Sequence, residues 1–139
     1  MQGLRAIHRF WLALLFLAIV VQIGAAGYGA FYAAKKSDPG PLTKLEFDHG
    51  FSFHAGFGYF VFLGGVVLLL LALAARLGKR LVLMNLGLGL LLTLQIVLAW
   101  IGASTPAVGT LHSINAFLIL GLAGSLAHKA WWGTRTPAV

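Results

Sequence analysis

The run Thr93-Leu94-Gln95-Ile96-Val97-Leu98-Ala99-Trp100-Ile101-Gly102-Ala103, then Ser104-Thr105-Pro106, then Leu111-His112-Ser113-Ile114-Asn115 decides the fold. It reads as the end of one apolar helix, a tight turn, and the start of a second apolar helix. Gln95, His112 and Asn115 are polar groups inside segments that otherwise belong in hydrocarbon. There an unsatisfied polar group is costly, so each needs a partner or a task.

Working outward, four segments have the roughly 20 apolar residues that a bilayer core requires: about 10–32, 51–75, 81–101 and 108–131. The whole chain is 139 residues, 60% hydrophobic and 9% charged, with a mean hydropathy of +0.92. Soluble domains carry roughly 25% charged residues, so this is the composition of an integral membrane protein with a single transmembrane domain over 1–139. Cysteine is absent, which excludes disulfides, thiolate metal sites and cysteine catalysis. The net charge of +7 does not point to nucleic acid, because the basic residues flank the apolar segments instead of forming a stripe. Residues 1–5 resemble the start of a signal peptide, but the apolar run behind them is too long for one, and we expect a retained helix.

Charge asymmetry orients the segments. Seven of the ten Lys and Arg (Arg5, Arg9, Arg76, Lys79, Arg80, Lys129 and Arg135) fall on one side. The other side holds Lys35, Lys36 and Lys44 with all three acids, Asp38, Glu46 and Asp48. The positive-inside rule then places both termini in the cytoplasm and makes 33–50 an external loop. Trp11, Trp131 and Trp132 would anchor the cytoplasmic boundary.

The pattern occurs twice. Val21-Gln22-Ile23 and Gly29-Ala30 precede Leu94-Gln95-Ile96 and Gly102-Ala103 by 73 residues, and Phe53-His54 precedes Leu111-His112 by 58. We therefore expect an all-α four-helix bundle made of two repeated helical hairpins, with His54 and His112 at one depth in the outer leaflet. Imidazole is the commonest metal-ligating side chain, and haem iron takes axial ligands from facing helices. Small residues near each histidine leave room for a flat ring: Ala55, Gly56 and Gly58 after His54, Ser113 and Ala116 after His112, Gly24 to Gly27 and Ala99, Gly102 and Ala103 alongside. Phe51, Phe53, Phe57 and Trp100 could flank its edges. Gln22 and Gln95 could donate to a propionate or orient a histidine from behind, and Asn115, on the same helix as His112, is a further candidate cofactor contact, as is Gly58. Interhelical hydrogen bonding explains the same polar residues without a cofactor; a chlorophyll-type pigment or a quinone headgroup is less favoured. His8 and His128 read as interfacial and solvated, and His49 as a loop residue.

These residues resemble a family. A helix with Gln-Ile and Gly-Ala, a short Pro turn, then Leu-His and an apolar helix looks like one four-helix half of haem A synthase, and the likeness covers nearly the whole chain. The resemblance implies that His54, in Phe53-His54-Ala55-Gly56-Phe57-Gly58-Tyr59-Phe60, and His112 hold one haem between the second and fourth helices. It departs where the family carries Glu-x-x-His-Arg, since Phe51 and Ala55 stand at the Glu and Arg positions. Glu46-x-x-His49 keeps the spacing but has Gly50 in place of Arg, and the family's external cysteine pair is missing.

The leading expectation is a membrane-embedded b-type haem protein that serves electron transfer or haem handling. With both axial positions filled, the iron has no open site for oxygen. A second reading is a compact haem A synthase oxidising haem O, with haem b as cofactor, a second haem as substrate and Glu46 as its catalytic residue. A third is a cofactor-free structural subunit of a membrane complex. A transporter is disfavoured, because no charge or broken helix marks an ion path. The expected partners are the lipid bilayer and either further copies or a respiratory or haem-biosynthesis assembly, the expected location the prokaryotic cytoplasmic membrane. Gly64-Gly65, Gly87-x-Gly89 and Gly121-x-x-Gly124 would serve internal packing or contacts between copies.

Overall fold

Backbone polar groups in hydrocarbon must be satisfied within the segment, so apolar runs of this length fold as helices. The computed structural model describes residues 1–38 and 40–133, and Arg135, expected beyond the last span, lies outside them. It contains α1 (Gln2–Lys36), α2 (Lys44–Ala74), α3 (Lys79–Ser104) and α4 (Pro106–Trp132), with no strand among the described residues. All four are long and apolar enough to cross a membrane. The 35 residues of α1 reach roughly 50 Å at 1.5 Å per residue, well beyond a hydrocarbon core of about 30 Å.

Local chemistry fixes the helix ends. Thr43 opens α2 with a capping box: its Oγ1 accepts from the Glu46 backbone N–H at 3.3 Å, and the Glu46 carboxylate accepts from the Thr43 backbone N–H at 3.1 Å. The expected external loop therefore shrinks, and Glu46 and His49 are helical residues. After α2 the chain turns through Arg76, whose φ of 48° lies in the left-handed region. Its N–H donates to the Leu73 carbonyl, and the Leu77 N–H to that of Ala72, both at 3.0 Å, completing a Schellman turn where glycine is usual. The α3–α4 joint is the single residue Thr105, with Pro106 in the first turn of α4, where its missing N–H costs nothing.

Each helix packs on two others, α1 on α2 and α4, and α3 on α2 and α4, so α2 and α4 face each other across the diagonal of a square. The core occupies one half of the bundle's length. Leu12, Leu15, Ile19, Val61, Leu68, Leu88, Leu92, Ile119, Ala123 and Leu126 interlock there. Gly64 and Gly65 serve this internal packing, their missing side chains replaced by Leu15 and Leu92, whereas Gly89 and Gly121 face open space. Trp11, expected at the cytoplasmic boundary, takes part in the packing: its indole N–H donates to the Gly64 carbonyl at 2.9 Å. His8 is also buried, at 5% exposure, with Nε2 3.2 Å from Asn85 Oδ1. It was expected in water, but α1 begins at Gln2 and carries it inside. Large apolar side chains such as Leu14, Phe31, Leu63, Leu90 and Phe117 cover the outside, where a bilayer would take the place of water.

Candidate functional site: a cleft between paired histidines

The other half of the bundle is open. Past Ile19 on α1 only Gly29 is buried, and past Leu92 on α3 only Leu98. A cleft of about 250 Å³ fills this space, and all four helices line it. His54 on α2 and His112 on α4 meet across it, their ring centroids 6.1 Å apart and their planes at 71°.

Each ring is fixed from behind in the same way. His54 Nδ1 lies 3.0 Å from the Gln22 carbonyl oxygen, and His112 Nδ1 lies 3.0 Å from that of Gln95. A carbonyl can only accept, so each Nδ1 carries the proton and donates. In the neutral ring this leaves the Nε2 lone pair for a ligand. The orienting groups are thus main-chain carbonyls, while the glutamine side chains have other partners. Gln22 Nε2 donates to the His54 carbonyl at 2.6 Å, which ties α1 to α2. Gln95 Oε1 accepts from Asn115 Nδ2 at 2.7 Å, and the same amide group donates to the Leu91 carbonyl at 2.9 Å, which ties α3 to α4. Gln22 Oε1 and Asn115 Oδ1 are buried with no partner among the described residues.

Small residues give the cleft its width. Ala55, Gly58, Ala99, Ala103 and Ala116 line it, with Tyr59 and Trp100 at its edge, joined by a 3.3 Å hydrogen bond from the indole N–H to the phenol oxygen. Of the expected ring-edge aromatics only Trp100 lines the space. Phe51 fills the place of a side chain at Gly29, and Phe53 stacks on Phe57 at 5.1 Å. A Cβ on Gly58 would stand 2.9 Å from Gln22 Nε2. Gly58→Ala is therefore expected to displace that amide from the His54 carbonyl at a cost of about 1 kcal/mol, seen as a drop of a few degrees in melting temperature in detergent.

The remaining candidates lie elsewhere. The Glu46 carboxylate accepts from Thr43 Oγ1 at 2.8 Å and lies 3.8 Å from Lys36 Nζ at the helix cap, away from the cleft lining. His49 packs on the Tyr32 ring at 5.4 Å, and His128 stacks on Trp132 at 5.3 Å. No group of three or more His, Cys, Asp or Glu positioned to hold a metal ion occurs among the described residues.

The two rings meet in an edge-to-face contact whose spacing also bears on metal binding. Two Nε2 atoms bonding one metal in line at about 2 Å each would set the ring centroids about 6 Å apart, which these rings match. Two protein donors fall short of the four that a bare zinc ion takes. They are the number a metal macrocycle leaves to the protein, one on each face. The chain has no match among protein-family models, curated proteins or solved structures.

Proposed function

We propose that this chain is a membrane-embedded haem b protein in which His54 and His112 supply both axial ligands. The observation that carries the proposal is the 6.1 Å spacing of two diagonal histidines whose Nδ1 atoms are both held by glutamine carbonyls. Haem bound this way supplies one-electron redox chemistry. The chain's own residues do the rest. The Gln22 and Gln95 carbonyls fix tautomer and ring direction and make each imidazole a stronger donor. Ala55, Gly58, Ala99, Ala103 and Ala116 leave room for the macrocycle, and Gln22 Oε1 offers an acceptor to a protonated edge group, whereas Asn115 lies behind the cleft lining. The resemblance to one half of haem A synthase rests on the same histidines and favours haem over other macrocycles.

The proposal includes the duplicated hairpin and its orientation. Buried Leu15 and Ile19 stand 73 residues before buried Leu88 and Leu92, and buried Val61, Gly65 and Leu68 stand 58 before buried Ile119, Ala123 and Leu126. The two glutamine–histidine bonds repeat at those spacings, which supports a parallel repeat about an axis along the membrane normal. The excess of basic residues at the packed end favours a cytoplasmic position for both termini, and so an outer-leaflet haem in a prokaryotic cytoplasmic membrane. Its electron partners would dock on the apolar sides or the external end, within a respiratory or haem-handling assembly.

The deciding experiment is a reduced-minus-oxidised visible spectrum of protein purified in detergent after haem-supplemented expression. A sharp low-spin b-type α band is expected. A colourless protein would reject the haem and leave a structural membrane subunit. If the band is present, adding haem O and assaying its oxidation separates carrier from synthase.

A further inference from the structure

The end of the bundle opposite the cleft has a pocket of its own, about 340 Å³, where α1, the α2–α3 turn and α4 meet. Its polar wall is Gln2, Arg5, His8, Arg9 and Lys129. No acid balances these cations, because Asp38, Glu46 and Asp48 all lie where α1 ends and α2 begins. Two of the basic groups have few acceptors among the described residues. The Arg9 guanidinium lies over the Trp131 ring at 4.4 Å, and its Nε is buried with no partner among the described residues. Among the described residues Lys129 Nζ has one acceptor, the Met84 thioether at 3.7 Å, a weak one. His8 is already engaged with Asn85.

A buried guanidinium N–H without an acceptor is unfavourable, and gathering like charges away from bulk water adds repulsion. An anion with several oxygens relieves both. We infer that this pocket binds a phosphate group, with Arg9 and Lys129 as its charged contacts and Arg5 at the rim. The planar fork of arginine matches phosphate oxygens, and lysine adds a point charge. The phosphate belongs to a lipid headgroup or to a free phosphoester. Leu77, Leu81 and Leu126 form an apolar wall beside the cations, which suits the glycerol and acyl portion of an anionic phospholipid. The site is independent of the haem reading.

The test is native mass spectrometry of the delipidated full chain, titrated separately with phosphatidylglycerol, phosphatidylcholine and inorganic phosphate. Phosphatidylglycerol is expected to bind roughly tenfold more tightly than phosphatidylcholine. Arg9→Gln and Lys129→Gln should each remove most of that preference, and Lys44→Gln, at the far end, should leave it intact. Phosphate that binds with the same dependence on Arg9 and Lys129, and displaces the lipid, would support the site and assign it to a soluble phosphoester. Equal binding of the two lipids by the unaltered protein, with no phosphate bound, would overturn the inference without reference to any variant.

Discussion

His112→Ala is expected to produce a helical, folded protein that has lost its low-spin haem spectrum and retains at most about a tenth of the haem. The side chain removed is half-buried at the cleft wall, and its one hydrogen bond goes to a carbonyl already inside a helix. Little of the fold therefore depends on it. Losing even an outer partner of a metal ligand costs about 10–100-fold in metal affinity, so removal of a ligand should cost at least that. His54→Ala should do the same, since Gln22 Nε2 still has the residue-54 carbonyl to donate to. His112→Met separates ligation from packing: a His/Met pair restores a bound haem with a raised reduction potential, and a filler of space would not. Haem content by pyridine haemochrome, together with circular dichroism, reads all three. Unchanged haem in both alanine variants would sink the assignment.

Gly102→Val is expected to destabilise the bundle at the α3–α4 joint. A Cβ at Gly102 would stand 2.7 Å from the Cα and 3.1 Å from the N of Gly109. These are backbone atoms, so no side chain can swing aside, and α3 and α4 would have to separate at their joint. Overpacking of this kind costs about 1–3 kcal/mol, or several degrees in melting temperature. The damage should reach the cleft, because Gly109 seats the first turn of α4 just ahead of His112. The control is Gly109→Ala, whose added Cβ would meet Gly102 at an ordinary 3.7 Å and should be tolerated. Thermal unfolding of both variants in one detergent gives the comparison, and equal melting temperatures would refute the close-approach argument.

How much of this was legible in the sequence differs from residue to residue. Length and hydropathy located all four helices, and Ser104-Thr105-Pro106 located the sharp α3–α4 joint. The matched Gln-Ile and His positions brought out the two histidines that meet across the cleft. The early start of α2 is also readable, since Thr43-Lys44-Leu45-Glu46 is a capping-box pattern, although the charges around it favour a loop. Other features were not readable. In a membrane protein the inward and outward faces are both apolar, so periodicity does not say that Leu12 is buried and Leu14 exposed. The His8–Asn85 contact joins residues 77 apart, and Arg5 and Arg9 around the histidine suggested water. The carbonyls that orient His54 and His112 belong to the backbone and have no sequence signature at all.

The division of the bundle into a packed half and an open half has an electrical meaning. Set across a bilayer, the interlocked leucines separate the cleft from the pocket at the other end, so a cleft that opens toward the nearer face would exchange charge with that face. His112 stands six residues into α4, roughly 9 Å from its start. Moving an elementary charge through the whole membrane voltage exchanges about 2.3 kcal/mol per 100 mV. A charge that enters and leaves through the open mouth crosses only a small share of that field. On the proposed haem reading, electron exchange at the cleft should therefore proceed at nearly the same driving force in an energised membrane as in a collapsed one.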